Sequence, residues 1–135
     1  MRKQLFSIGL VLISFLFQGY SKDIPKITDL EDQPLLAHAQ RLNEALNFLG
    51  SSLTSIDSQR LKELKNEVPS AKTSQLIQEI LDPYCLAMIT INPEARVKVM
   101  RGSSKPQLVQ NGWKSFLVKI NNEAHITARL EVASP

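Results

Sequence analysis

The spacing of the apolar residues changes at Pro83, and this change limits the possible folds more than any other feature of the chain. Before Pro83, apolar residues recur every three or four positions, which is typical of amphipathic helices. After Pro83 they recur at every second position, which is typical of strands with one buried face. We therefore predict an α+β fold, with a short N-terminal helical segment over residues 32–82 and a β-rich segment over residues 83–135.

The first helix is predicted to begin at Asp32, a suitable capping residue, and to end at Gly50. Pro34 falls in its first turn, where the missing N–H costs little. Asn43 belongs to the polar residues that are expected to face solvent. The apolar stripe has spacings of four, three, four and three, and consists of Leu35, Ala39, Leu42, Leu46 and Leu49.

Two shorter helices are predicted over residues 54–67 and 70–82, each closed by a following proline. Their short connections favour antiparallel packing of neighbouring helices. The apolar contacts are expected from Ile56, Leu61, Leu64 and Val68 in the second helix, and from Leu76, Ile77, Ile80 and Leu81 in the third.

The β-rich segment contains four or five candidate strands. Residues 85–91 are continuously apolar, as in a strand covered on both faces, whereas residues 96–101 alternate. Residues 116–120 and 126–132 form a further pair around a turn at 121–125. We predict an antiparallel, immunoglobulin-like partial β-sandwich, because a complete one needs about seven strands. Its apolar face is expected to lack a cover, so that either the protein continues past Pro135 or the helices cover the sheet.

The N-terminus has the three parts of a secretory signal. Arg2 and Lys3 precede an apolar run over residues 5–17, and small residues precede a cut after Ser21. As a helix the run spans about 20 Å, against about 30 Å for a bilayer core. We therefore predict a signal peptide at 1–21, a tether at 22–31, and no permanent membrane span after cleavage. The protein is expected in the periplasm, on the cell surface or outside the cell.

The charge does not favour nucleic acid as a partner. Removing Arg2 and Lys3 with the signal lowers the formal net charge from +3 to +1. Residues 22–82 then carry −3, with 7 basic and 10 acidic groups, and residues 83–135 carry +4, with 7 and 3. Nucleic-acid binding usually requires a concentrated basic stripe, which is missing here.

One group of residues is a candidate ligand site, formed by Arg96, Lys98, Lys105 and Trp113. The basic side chains suit an anionic polymer of the cell envelope. The alternative is that they keep an edge strand soluble and unpaired. Trp113 is expected to pack at the entrance of a strand rather than to hold a sugar.

No catalytic or metal motif is recognisable, and no cofactor is expected. His38 has no ligand type at a suitable spacing and is interpreted as a surface or boundary residue. Glu123 and His125 share one turn but have no recognisable nucleophile or metal partner. Cys85, the single cysteine, lies among apolar residues and is interpreted as buried, although a free thiol in an exported protein could also react or pair between molecules.

The stretches ILDPYCLAMITINPEARVKVMRG and LVQNGWKSFLVKINNEAHITARLEVASP resemble the region after the signal peptide in exported bacterial metal-dependent hydrolases of the PHP-like type. The resemblance covers about residues 75–135. In that family a helical lead-in and a β-rich region precede the catalytic domain, whose metal site uses clustered histidines and acids. It implies that this chain is an accessory leader region, and it assigns no catalytic residue here.

Three functions follow from these patterns. The first is an exported, non-catalytic accessory module that presents or stabilises a downstream domain of a longer protein. The second is an envelope-binding module for an anionic ligand. The third is the leader region of a metal-dependent hydrolase whose catalytic domain lies elsewhere.

Overall fold

The computed structural model describes residues 23–66, 68 and 70–125, which form an α+β arrangement of three helices and a three-stranded sheet. The predicted signal peptide and the predicted strand 126–132 lie outside these residues. The elements are α1 (Asp32–Phe48), α2 (Ser55–Leu64), α3 (Ala71–Leu81), a short 3-10 helix (Asp82–Tyr84), β1 (Cys85–Ile91), β2 (Val97–Arg101) and β3 (Leu117–Asn122).

The buried stripe of helix α1 matches the predicted one only in part. Leu49 lies beyond the last helical residue and is exposed, while Asn43, which was expected to face solvent, is buried. The Asn43 side-chain amide donates to Ser58 Oγ at 3.0 Å, which compensates one of its polar groups. The prediction for Leu49 and Asn43 was therefore wrong. The buried stripe of α1 is Leu36, Ala39, Asn43 and Leu46.

The helical core forms where the three helices meet. Leu61 and Leu64 of α2 are buried there, together with Ile77 and Ile80 of α3, as predicted. The same prediction was wrong for two other residues, because Ile56 and Val68 are exposed. Ile56 lies in the first turn of α2 and is 71% exposed.

The sheet has the order β2, β1, β3 and is mixed. Strand β1 pairs with β2 in antiparallel fashion, and the turn between them spans residues 92–96. Strand β3 runs parallel to β1, with an irregularity between Cys85 and Ala87. The expectation of a purely antiparallel sheet was therefore wrong for β1 and β3. The fifteen-residue connection leaves β2 at Arg101 and enters β3 at Leu117, and both residues lie beside the beginning of β1, so that β3 starts at the same end of the sheet as β1 and runs parallel to it.

The two faces of the sheet have different environments. The side of Met88 and Cys85 is covered, since both pack with Ile24 and with the partly buried Met100 and Leu117. The opposite side is occupied at its centre by Ile89, which is buried between its neighbours on β2 and β3. Both faces are thus buried at the middle of β1, as expected for this continuously apolar strand, but among the residues that the structure describes another layer covers only one of them.

The segment interpreted as a tether packs against α3. Ile24 is buried, and the backbone of Ile27 forms two hydrogen bonds with the Gln78 side chain, at 2.8 and 2.9 Å. Lys26 forms an ion pair with Glu79. A free linker would leave these groups in water, so residues 24–27 are part of the folded domain.

Candidate functional site

The basic residues of the predicted ligand site do not converge. Arg96 precedes β2 and pairs with Glu94 at 3.2 Å, whereas Lys105 follows Gly102 beyond the other end of the strand. A five-residue strand separates its end residues by about 13 Å. Lys98 lies opposite Thr90 and Arg101 opposite Ala87, so they project from different faces. The structure therefore offers an exposed basic strand rather than one anion pocket.

Trp113 is fully exposed and does not pack at the entrance of β3. This part of the sequence interpretation was wrong. The residue lies in the connection between β2 and β3, four positions before the first residue of the strand, and it belongs to neither apolar cluster. An exposed indole has a large apolar surface and one N–H donor, so it is better suited to contact a ligand than to stabilise the core.

Trp113 borders a cleft of about 410 Å³ between the α1–α2 connection and the β2–β3 connection. The two connections are joined where the Ser115 amide donates to Ser51 Oγ at 3.4 Å. We call this the Trp113 cleft. It is lined by Leu46, Gly50, Ser51, Ser52, Leu53, Tyr84, Ser104, Val109, Trp113, Lys114, Ser115, Phe116 and Leu117.

The Trp113 cleft has a simple distribution of charge. Among the described residues that line it, Lys114 is the one that carries a charge, and its Nζ lies 5.8 Å from the centre of the Phe116 ring. The Tyr84 hydroxyl donates to Asp57 Oδ2 at 2.6 Å and accepts from the Thr54 amide at 3.0 Å. The cleft therefore combines an apolar floor, several serine hydroxyls and one cation.

A second surface lies on the side of the sheet that no other described element covers. It consists of four aliphatic residues, which share this side because their Cα partners on β1 are Ala87, Ile89 and Ile91. We call it the apolar sheet face. Its residues and exposed fractions are Val97 57%, Val99 63%, Val118 44% and Ile120 53%.

An ion pair fastens β3 to the helical part on the covered side of the sheet. Lys119 Nζ lies 2.9 and 3.0 Å from the two Asp82 carboxylate oxygens and also donates to the Pro25 carbonyl at 3.1 Å. Burial raises the pKa of Asp82, and Lys119 opposes that rise. Nothing in the sequence pattern indicated this pair, because the two residues are far apart along the chain.

Cys85 is buried and lies close to the same ion pair. Its thiol donates to the Leu81 carbonyl at 3.6 Å. Burial, helped by the negative charge of Asp82, raises the pKa of the Cys85 thiol to about 11. The interpretation of Cys85 as a buried residue is confirmed, and such a thiol is a poor nucleophile at neutral pH.

Asp57 forms the other polar cluster, at the beginning of α2. The Asp57 amide donates to Thr54 Oγ1 at 3.2 Å, and this caps the helix. The Tyr84 hydroxyl, followed by Thr54 and Arg60, lowers the pKa of the Asp57 carboxyl. This cluster joins α2 to the 3-10 helix before the sheet, so its role is structural.

The histidines lie apart from these sites. His38 is exposed on α1, as interpreted from the sequence, and His125 is exposed at the turn after β3. Glu123 accepts a hydrogen bond from the Asn121 side chain at 2.8 Å. Among the residues that the structure describes, no three His, Cys, Asp or Glu side chains are grouped so that they could hold a metal ion. None of the described helices is long and apolar enough to cross a membrane.

Comparison with protein-family models, with curated proteins and with solved structures finds no match for this chain. The functional argument is therefore based on the apolar sheet face and on the Trp113 cleft.

Proposed function

We propose that the protein is an exported, non-catalytic accessory module, and that a downstream domain of the same polypeptide packs on the apolar sheet face. The observation that carries this proposal is the exposure of Val97, Val99, Val118 and Ile120 on one side of a sheet whose other side is covered. Contiguous exposed aliphatic side chains on a soluble domain mark interaction surfaces.

The energy available at this surface is sufficient for packing within one polypeptide. Complete burial of a valine or isoleucine side chain contributes about 1.5–3 kcal/mol. Because each of the four side chains is roughly half exposed, covering them contributes on the order of 4 kcal/mol in total. Packing within a chain does not carry the entropy cost of bringing two molecules together, so this contribution can hold a tethered domain.

The sheet favours packing on its face over addition of a strand at its edge. The edge strand β2 carries Lys98 and Arg101, and Arg96 lies just before it. Charged side chains at an edge oppose pairing with another strand. A second sheet about 10 Å above the apolar sheet face would bury it and complete the immunoglobulin-like sandwich that we infer for the longer protein.

The other two functions have less support. An anionic envelope ligand on Arg96, Lys98 and Lys105 would have to bridge groups that lie at opposite ends of β2, and Arg96 is already paired with Glu94. The resemblance of residues 75–135 to the lead-in region of PHP-like hydrolases makes a metal-dependent hydrolase the candidate for the downstream domain.

The test places a photo-reactive amino acid at position 99 of the protein expressed in its own cells. We expect a cross-link within the same polypeptide, to an apolar surface that follows residue 135, and mass spectrometry of the linked peptides identifies that surface. The matched control carries the same amino acid at position 56, because Ile56 is also exposed but lies on α2. Absence of a cross-link from position 99, or a cross-link to another chain only, contradicts the proposal.

Export is tested on the same material. We expect the N-terminus of the recovered protein to begin at Lys22, after removal of the signal peptide. A chain that retains Met1 and fractionates with the cytoplasm contradicts this part of the proposal.

A further inference from the structure

We propose that the Trp113 cleft is a binding site for an acidic saccharide, separate from the apolar sheet face. With a volume of about 410 Å³, the cleft lies within the size range of small-molecule sites, which is about 300–1,000 Å³. It is formed by two connections that come from different parts of the fold and are joined by the Ser115–Ser51 hydrogen bond.

The exposed aromatic group of the site is Trp113, and Tyr84 and Phe116 also line the cleft. The Trp113 ring is fully exposed at the rim of the cleft, so it contributes nothing to the apolar core. The flat face of a sugar ring carries C–H groups that pack against an indole, and the indole N–H can donate to a sugar hydroxyl. A side chain of this kind beside a cleft is therefore suited to hold a saccharide ring.

The polar groups of the site match a ligand with many hydroxyls. Four serines line the cleft, Ser51 and Ser52 on one side and Ser104 and Ser115 on the other. A serine hydroxyl both donates and accepts, as the hydroxyls of a sugar do.

The charge of the site selects an acidic ligand. Lys114 provides a positive charge, and no aspartate or glutamate of the described residues lines the cleft. The exposed Lys114 side chain lies over the Phe116 ring at the edge of the cleft, so its ammonium group is available to a ligand there. A carboxylate on the sugar would form a charge-assisted hydrogen bond with this ammonium group.

Trp113 is the only tryptophan of the chain, so its fluorescence reports directly on the site. The experiment titrates the full exported chain with tetragalacturonate as the acidic probe and with cellotetraose as its neutral counterpart. We expect tetragalacturonate to shift the Trp113 emission to shorter wavelength in a saturable way, because the ring becomes covered. Cellotetraose should bind more weakly by roughly tenfold, since it lacks the carboxylates.

Two variants separate the site from unspecific attraction. Lys114→Gln should weaken the binding of the acidic probe by roughly tenfold and leave the affinity for the neutral probe unchanged. The matched control, Lys62→Gln, removes an exposed lysine from α2 and should change the affinity for neither probe. Trp113→Ala, followed by calorimetry, should abolish binding while the far-UV circular dichroism stays the same, because the side chain is exposed.

The possible results are decisive in both directions. Equal affinity for the acidic and neutral probes, or an equal loss in Lys114→Gln and Lys62→Gln, overturns the assignment of an acidic ligand. If neither saccharide changes the Trp113 emission at millimolar concentration, the assignment of the cleft as a saccharide site is wrong. A shift caused by a proline-rich peptide, with both saccharides silent, would assign the cleft to peptides instead.

Discussion

Gly102 is the position where a single added methyl group should damage the fold most clearly. It follows β2, is buried, and lies against the beginning of β1. A Cβ atom at this position would lie 2.1 Å from the Cys85 carbonyl oxygen and 2.8 Å from its carbonyl carbon. Both are backbone atoms of the central strand, so no side-chain rotation can relieve the contact, and β1 and β2 must separate locally.

The size of the effect follows from this separation. Forcing extra atoms into a packed interior costs about 1–3 kcal/mol. The Gly102 amide donates to the Leu86 carbonyl at 2.8 Å, and the Ser104 amide donates to the Cys85 carbonyl at 3.1 Å. Weakening these two hydrogen bonds adds about 1 kcal/mol each. We therefore expect Gly102→Ala to lower the free energy of unfolding by about 3–5 kcal/mol, a large part of the total for a domain of this size.

Urea unfolding followed by far-UV circular dichroism measures this loss. Trp113 fluorescence is unsuitable, because the ring is already exposed in the folded protein. Gly50→Ala is the matched control, since its φ is +68° but an added Cβ meets nothing within 4 Å. The control should lose only about 1 kcal/mol through backbone strain. Equal stabilities for the two variants would refute the steric argument.

Three further predictions concern the polar clusters. Lys119→Met should lower the free energy of unfolding by about 2 kcal/mol near neutral pH, because it leaves the Asp82 carboxylate unpaired. Burial raises the pKa of Asp82, so the loss of unfolding free energy should become smaller as the pH falls through that pKa and the carboxylate is protonated. Urea unfolding of both proteins at two pH values measures this change. A loss that does not depend on pH contradicts the pairing. Tyr84→Phe removes the hydrogen bond to Asp57 and should lower the free energy of unfolding by about 1 kcal/mol, as measured by thermal unfolding. The Tyr84 hydroxyl lowers the pKa of Asp57, so the wild type loses the stability that comes from this hydrogen bond when the pH falls through that pKa. The variant lacks the hydrogen bond and should lose less unfolding free energy over the same pH range. The Cys85 thiol, with a pKa of about 11, should react with a thiol reagent in mild alkali only after urea is added, and rapid labelling of the native protein would contradict its burial.

The helices could be predicted from the sequence better than the sheet could. The spacing of leucines and isoleucines identified α1, α2 and α3, because one buried stripe is enough to define a helix. The same rule failed at Asn43, where a hydrogen bond to Ser58 makes a polar residue acceptable in the core. An alternating pattern shows which residues share a face of a strand but not its direction. The parallel pairing of β3 with β1 was therefore not predictable.

Which side of the sheet would be covered was also not visible in the pattern. Alternation correctly placed Val118 and Ile120 on one side of β3 and Lys119 on the other. The layer that packs on the sheet lies on the Lys119 side, because this lysine finds the Asp82 carboxylate there and Ile24 fills the space beside Met88. Both partners are distant along the chain, and single-sequence patterns do not report such pairs. Trp113 was misjudged for a related reason, since burial tendency does not identify a residue at a cleft.

The position of β1 at the centre of the sheet determines the order in which the strands can pair while the chain is synthesised. Both of its neighbours are translated after it. Strand β2 is joined to β1 by a short turn, whereas β3 is separated from β1 by that turn, by β2 and by the β2–β3 connection. The hairpin can close early, but the second edge of β1 stays open until the ribosome has added the residues of β3. Long-range parallel pairing is slow because the loop must first be closed. Nascent chains of this protein should thus be most vulnerable to strand exchange in that interval, when a holding chaperone would be of most use.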